Sequence, residues 1–232
     1  MTDSIKQRLE SVRQRIRQAE AASGRPDGCV SLLAVSKTQP VEAVIAAHEA
    51  GQRAFGENYL QDALEKIKQL AGLGLEWHFI GRIQSNKTRD IAAHFDWVHG
   101  LGDAKHARRL ADQRPDDLPP LNVCIQINVS GEQSKGGVEP EQAMELIELC
   151  RTLPRLSLRG LMTIPAVAAD SDGKRGPLHK LRLLRDRLAT PELPLDALSM
   201  GMSGDLEEAI AEGATIVRIG TAIFGPRNYD RQ

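Results

Sequence analysis

The chain has 232 residues, with 30 Lys and Arg against 31 Asp and Glu and a formal charge of −1. That balance argues against a protein that coats nucleic acid or an anionic membrane, and an apolar fraction of 41% argues against a chain disordered by composition. Only 3% of residues are aromatic, so Leu, Ile, Val and Ala must build the core of what this length suggests is one domain, residues 1–232.

The first predicted element is a helix. Ile5, Leu9, Val12 and Ile16 share one stripe. Thr2, Asp3 or Ser4 is its cap, and Ser23-Gly24 with Pro26 stops it. Apolar runs rich in β-branched residues then alternate with helical patterns. Strands are predicted at 30–36, 53–56, 77–80, 97–100, 121–129, 157–164, 197–200 and 215–220. Helices are predicted at 41–50, 60–70, 105–112, 141–152, 178–188 and 206–211. Strict alternation makes the strands parallel, because each crossover returns the chain to the same end of the sheet. Eight such units predict an α/β fold, a single closed (β/α)8 TIM-type barrel with an extra N-terminal helix. An open doubly wound sheet is the alternative. The stretch 165–177, rich in Asp, Gly and Pro at its end, reads as a mobile loop over the barrel mouth.

Cys29, Cys124 and Cys150 are widely spaced and form no CxxC, which suits reduced core thiols. The N-terminus lacks the apolar run of a signal peptide, and no segment approaches bilayer-spanning length. A soluble, cytoplasmic protein is expected, and with no long apolar surface stripe, a monomer. The six histidines show no metal-ligand spacing.

In a parallel barrel the reactive face lies where strands end. Lys37 follows the apolar run Leu32–Val35. Its amine at the mouth, partly desolvated, is a nucleophile toward carbonyls, unless the side chain simply snorkels to water. Ser203-Gly204 precedes a predicted helix, and Gly220-Thr221 ends the last strand. Both places suit a phosphate, or are an ordinary cap and turn. Asp205 beside them repels a phosphate unless its side chain turns away. Arg218 interrupts an apolar strand and needs a partner, either a ligand or a buried carboxylate such as Glu57. Lys66, Lys68, Lys105, Arg108 and Arg109 read as solvated helix faces, Trp77 and Trp97 as core.

An amine nucleophile, a phosphate cup and a barrel mouth together suit pyridoxal 5′-phosphate. The stretches Ala34-Val35-Ser36-Lys37-Thr38, Phe55-Gly56-Glu57-Asn58-Tyr59, Trp77-His78-Phe79-Ile80-Gly81, Gln84-Ser85-Asn86-Lys87, Gly160-Leu161-Met162, Ser199-Met200-Gly201-Met202-Ser203 and Val217-Arg218-Ile219-Gly220-Thr221 resemble the pyridoxal-phosphate homeostasis proteins. That family is related to the barrel domain of bacterial alanine racemases. The resemblance implies that Lys37 carries the cofactor as a Schiff base. It implies that Ser203, Gly220 and Thr221 hold the phosphate with backbone help from Gly204, and that Arg218 faces the pyridine nitrogen. Asn58, His78 and Met162 would line the cofactor. Lys135 matches a family loop without an assigned role. Arg82 departs from the Pro, His or small residue expected there, which bears on the shape of the pocket rim.

The implied function is homeostasis of the cofactor inside the cell by a carrier rather than an enzyme, with cofactor-dependent apoenzymes as partners. Two alternatives are an amino-acid racemase and a class I Schiff-base aldolase. Racemisation is disfavoured because the second base of the racemases, a tyrosine, comes from a further β domain for which the sequence to Gln232 leaves no room.

Overall fold

The computed structural model describes residues 4–131, 136–165 and 171–226. Helix α1 (Ile5–Ala22) begins at Ser4, whose Oγ accepts from the Gln7 N–H while the Gln7 side chain accepts from the Ser4 N–H. This reciprocal cap satisfies two backbone donors at the helix start. The predicted stripe then buries Leu9, Val12 and Ile16.

Eight strands follow: β1 (Ser31–Val35), β2 (Ala54–Glu57), β3 (Glu76–Phe79), β4 (Trp97–Leu101), β5 (Leu121–Gln126), β6 (Leu156–Met162), β7 (Ala197–Ser199) and β8 (Ile216–Ile219). All neighbouring pairs are parallel, and the order β1 through β8 closes on itself. The closing register places Leu33 opposite Arg218. Closure removes both sheet edges and decides against the open sheet.

The crossovers carry α2 (Val41–Glu49), α3 (Leu60–Gln69), α4 (Thr88–His94), α5 (Ala104–Gln113), α6 (Ala143–Arg151), α7 (Ser171–Leu188) and α8 (Leu206–Ala211), and α9 (Thr221–Phe224) follows β8. Helices α4 and α9, of seven and four residues, were not expected. Two turns or fewer give too little apolar periodicity to register in the sequence.

The expected loop 165–177 is corrected in its second half. Helix α7 already begins at Ser171 and takes in Gly173, Gly176 and Pro177. Those residues disfavour a helix locally. The buried stripe Leu178, Leu181, Leu184 and Leu188 docks the helix, and an added turn is cheap once a helix is nucleated. Residues 166–170 lie outside the described residues.

Strand alternation sorts side chains to two faces. Leu33, Val35, Ile80, Cys124, Met162, Ala197 and Ile216 form one cluster inside the barrel. A larger cluster fills the layer between barrel and helices. Trp77 belongs to that outer layer, whereas Trp97 faces the barrel interior. Among the described residues no helix is long and apolar enough to cross a membrane.

Candidate functional site

Lys37 lies just past the end of β1 and is half-buried. Its strand parity is that of Leu33 and Val35, which face the interior. The turn that carries it is closed by the Gln39 N–H donating to the Ser36 carbonyl. Thr38 has φ 62°. A β-branched residue at positive φ is a backbone outlier and stores strain beside the lysine.

The turn is clamped from behind. The Ser36 hydroxyl donates to Glu57 Oε1 at 2.6 Å. Lys66 Nζ donates to Glu57 Oε1 and to the Ser36 carbonyl, each at 2.8 Å. Lys66 is therefore no solvated helix face: it is 5% exposed and Glu57 is fully buried. Burial pushes the Glu57 carboxyl up, and the Lys66 charge and the bonds from Lys66 and Ser36 work against that. The signal was present in the sequence, since Leu60, Ala63 and Lys66 recur three apart on one buried face of α3. Glu57 is thereby engaged by Lys66 and not by Arg218.

Arg218 points into the interior of the barrel and is 5% exposed. No carboxylate among the described residues lies within ion-pair distance of it. Its Nη1 donates to Ser199 Oγ at 2.9 Å and its Nη2 to the Thr163 carbonyl at 2.8 Å. Burial pushes its pKa down to about 10, with Asp205 and Cys124 pulling the other way, so it is charged at neutral pH.

From Arg218 a polar column runs down through the barrel. Ser199 Oγ meets His99 Nδ1 at 2.7 Å, His99 Nε2 meets His78 Nδ1 at 2.8 Å, and His78 Nε2 meets Glu76 Oε1 at 2.6 Å. Glu76 is half-exposed at the start of β3. The His78 ring also stacks on Trp97, 5.4 Å between centroids. His78 was singled out from the sequence; His99 and Ser199 were not. Their signal was parity: each is polar at an inward position of a short apolar strand.

The other candidates collect at the strand ends. Asn58 follows β2, and its Oδ1 is buried without a hydrogen-bond partner among the described residues. A Cβ at Gly81 would come 2.2 Å from the Asn58 carbonyl oxygen, so glycine is needed for the two loops to touch. Met162 closes β6 inside the barrel. Gly220 follows β8, and a Cβ there would meet the Val35 carbonyl at 3.2 Å. The ends of β1 and β8 are therefore in contact, which brings Gly220 and Thr221 beside the turn of Lys37.

Between β7 and α8, the N–H groups of Ser203 and Gly204 donate to no backbone acceptor among the described residues. Gly204 is exposed, with open space where a side chain would project. Asp205 does turn away: its Oδ1 accepts from the Met202 N–H at 2.6 Å, and the side chain is buried. Arg82 is exposed beyond β3, and Lys135 lies outside the described residues.

At one end of the barrel the fold thus gathers a half-buried amine, a buried guanidinium without a carboxylate partner, an orphaned amide oxygen and free backbone donors. That set can take an anion and a polar ring carrying a carbonyl.

Residues 7–228 match the alanine racemase N-terminal domain family. A protein of Pseudomonas aeruginosa named pyridoxal phosphate homeostasis protein is 57% identical over 226 residues, 97% of each chain. One of the same name from Vibrio cholerae is 53% identical over 232 residues, 98% of each chain. The structure of PipY from Synechococcus elongatus, described with PLP bound, superposes with a TM-score of 0.84 at 35% identity, covering 96% of this chain and all 100% of that one. An alanine racemase from Clostridium difficile shares the fold at a TM-score of 0.73 and 14% identity, with 57% of its length covered.

Proposed function

The chain belongs to the pyridoxal phosphate homeostasis proteins, within the alanine racemase N-terminal domain family, and from that premise we propose that it holds pyridoxal 5′-phosphate reversibly and covalently through Lys37. The residues at the barrel mouth fit that group. Among the described residues, Asn58 Oδ1 is a buried acceptor lacking a donor and Arg218 is a buried cation lacking an anion within ion-pair distance. Both are costly unless a polar ligand completes them. The cofactor supplies an aldehyde that condenses with a primary amine and a ring that withdraws electrons.

The protein supplies the rest. Lys37 presents the amine from a turn fixed by Ser36, Glu57 and Lys66. Ser203, Gly204, Gly220 and Thr221 hold the phosphate through backbone and hydroxyl donors. Asn58 and Met162 would border the ring, with His78 below them in the column. Arg218 faces the ring nitrogen, and this residue carries the functional reading. A guanidinium donates a hydrogen bond but keeps its proton. A ring held opposite it would stay unprotonated and be a poorer electron sink, an arrangement that also suits racemases working with two positioned bases, so the proton-exchange measurement below is what separates storage from turnover.

We place the protein in the cytoplasm, where free thiols such as Cys124 and Cys150 persist. There it passes the cofactor to apoenzymes that need it. We take it to act as a monomer, because the exposed large apolar side chains Leu73, Met144 and Leu183 lie on separate segments, the loop after α3, α6 and α7.

The test is an absorbance spectrum before and after borohydride, with peptide mapping. A yellow protein whose visible band vanishes and whose label sits on Lys37 is expected. A label that survives in Lys37→Ala refutes the assignment. Exchange of an amino acid's Cα proton in deuterated water would instead make the protein a racemase. A colourless protein trapped only with a sugar phosphate would make it an aldolase.

A further inference from the structure

The column beneath Arg218 has a donor-only cation at one end and an acceptor-only anion at the other. Arg218 offers N–H groups alone, and Glu76 offers oxygens alone. Glu76 stays ionised, since the bond from His78 holds its carboxyl below the usual range against the opposing effect of burial. Between them stand three groups that each both donate and accept: Ser199, His99 and His78.

With both imidazoles neutral, one arrangement of hydrogens satisfies all four contacts. The Glu76 carboxylate requires a hydrogen on His78 Nε2, so His78 Nδ1 is an acceptor. His99 must then carry its hydrogen on Nε2 and accept at Nδ1. The Ser199 hydroxyl donates to that Nδ1, and its oxygen is left to accept from Arg218. Every donor points the same way, from Arg218 down to Glu76. Protonating His78 reverses the middle of the column. His99 would then donate to Ser199 Oγ, which already receives Arg218, and the hydroxyl hydrogen would lose its acceptor.

His99 is fully buried. Burial, with the Arg218 charge beside it, holds its pKa well below the usual imidazole range, so it stays neutral. The charges on adjoining strands leave this pattern intact. Arg159 lies over the Trp97 ring at 5.3 Å but is paired with Asp196 at 2.7 Å. The Asp205 carboxylate is engaged by Met202, and the Cys124 thiol is pushed up to about 12 by burial and stays neutral.

We propose that Glu76, His78, His99 and Ser199 form a polarised hydrogen-bond column that positions Arg218, so that the ionic state at the barrel floor sets how the guanidinium is held. No proton is transferred along it. What it delivers is a serine oxygen whose hydrogen is already committed downward and which is therefore a stronger acceptor for Arg218. His99 and Ser199 are positioning residues, not catalytic ones. The role of the column in cofactor binding rests on the reading given under Proposed function; its hydrogen pattern does not.

The experiment uses the full-length protein in two states. In the first, without cofactor, long-range proton–nitrogen spectra of 15N-histidine protein at pH 7 report each tautomer. Signals that disappear in His78→Asn and His99→Gln give the assignment. His99 is expected neutral with its hydrogen on Nε2, and His78 is expected to donate through Nε2 and accept at Nδ1. A hydrogen on His99 Nδ1, or an imidazolium at either ring, overturns the column whether or not the protein binds anything. In the second, pyridoxal 5′-phosphate is titrated in and its visible band is followed. Ser199→Ala is expected to weaken binding about tenfold, the loss of one hydrogen bond to a charged group. Ser199→Thr restores it. Glu76→Gln at the floor is expected to shift the visible band and mix the His99 tautomers. An unchanged band and unchanged tautomers in Glu76→Gln overturn the coupling. Failure of the wild type to take up the cofactor sinks the functional reading and leaves the tautomer result standing.

Discussion

The two ends of the barrel spend their polar groups differently. At the floor, buried and half-buried side chains tie off backbone. Glu20 accepts from the N–H groups of Gly28 and Val30 at 3.1 and 2.8 Å. Gln52 donates to the carbonyls of Leu32 and Ala54. Arg25 holds Ile210 and Ala214, and Arg114 holds Ala92, Phe95 and Pro119. At the mouth, Asn58 Oδ1 and the N–H groups of Ser203 and Gly204 are left over among the described residues. One end uses its hydrogen bonds to fasten αβ loops. The other keeps them for a ligand, which is the division of labour expected of a barrel.

The sharpest way to break this comparison is Lys37→Ala. It should remove covalent retention of pyridoxal 5′-phosphate entirely and leave the thermal midpoint within about 2 °C, since a half-buried mouth lysine carries little of the core. A large drop in midpoint would show that the mouth is also structural. The converse substitution is Glu20→Ala at the floor. The buried Val30 N–H loses its acceptor, at about 1–3 kcal/mol, and the Gly28 N–H, at an exposed residue, turns to water at little cost. Denaturant unfolding should register a loss of about 1–3 kcal/mol, with cofactor affinity unchanged in the protein that remains folded.

Lys66→Met tests the boundary between the two regimes. It strips the partner from a fully buried Glu57 and frees the Ser36 carbonyl beside Lys37. A cost of about 3–5 kcal/mol is expected for the stranded charge. Unlike Glu20→Ala, it should also slow uptake of the cofactor, read as the rise of the visible band after mixing. If only stability falls, the clamp belongs with the floor residues and has no part in presenting the amine.

Much of this was legible in the sequence, and the reasons are specific. The eight strands are short apolar runs whose spacing leaves room for one helix each, so their number and direction followed from alternation. Lys37, Arg218 and Gly220 stood out because each breaks the apolar pattern at a strand end or within a strand, and Ser203 because it precedes a helix. The column did not stand out. His99 and Ser199 sit in strands of five and three residues, where a single polar residue does not disturb the pattern. Their meaning appears only when four different strands bring Glu76, His99, Ser199 and Arg218 into one line. Lys66 was misread because a charged residue on a helix was given to solvent without asking which face it shared.

On the outer layer an ion cluster gives a smaller, pH-dependent effect. Glu212, buried at the end of α8, receives Arg175, His179 and Arg182 from α7. Burial alone would raise its pKa; the three bonds override it and bring it down to about 2. A carboxylate lowered in the folded state contributes stability above its ordinary pKa and loses it as pH falls through the folded value. The partners are between 34% and 57% exposed, so the contribution is about 1–2 kcal/mol. Glu212→Gln should be less stable than wild type by that amount at pH 7, and the gap should close between about pH 4.5 and pH 2. A gap independent of pH would assign the loss to packing.

The smallest expected effect returns to the mouth. Thr38 holds φ at 62°, a conformation that costs a non-glycine residue about 1–2 kcal/mol. Its hydroxyl donates to the Lys37 carbonyl at 2.6 Å, which recovers part of that cost locally. Thr38→Gly removes the strain but adds about 0.5–1 kcal/mol of backbone entropy to the unfolded chain. Stability should therefore rise by at most about 1 kcal/mol. A floor residue relieved of strain would show nothing else. Here the turn also presents Lys37, and loosening it should lower affinity for the cofactor several-fold even as the fold gains. Opposite signs in the unfolding and binding measurements would show that the mouth holds strain in the service of its amine. A gain in both would mean that Thr38 is merely tolerated.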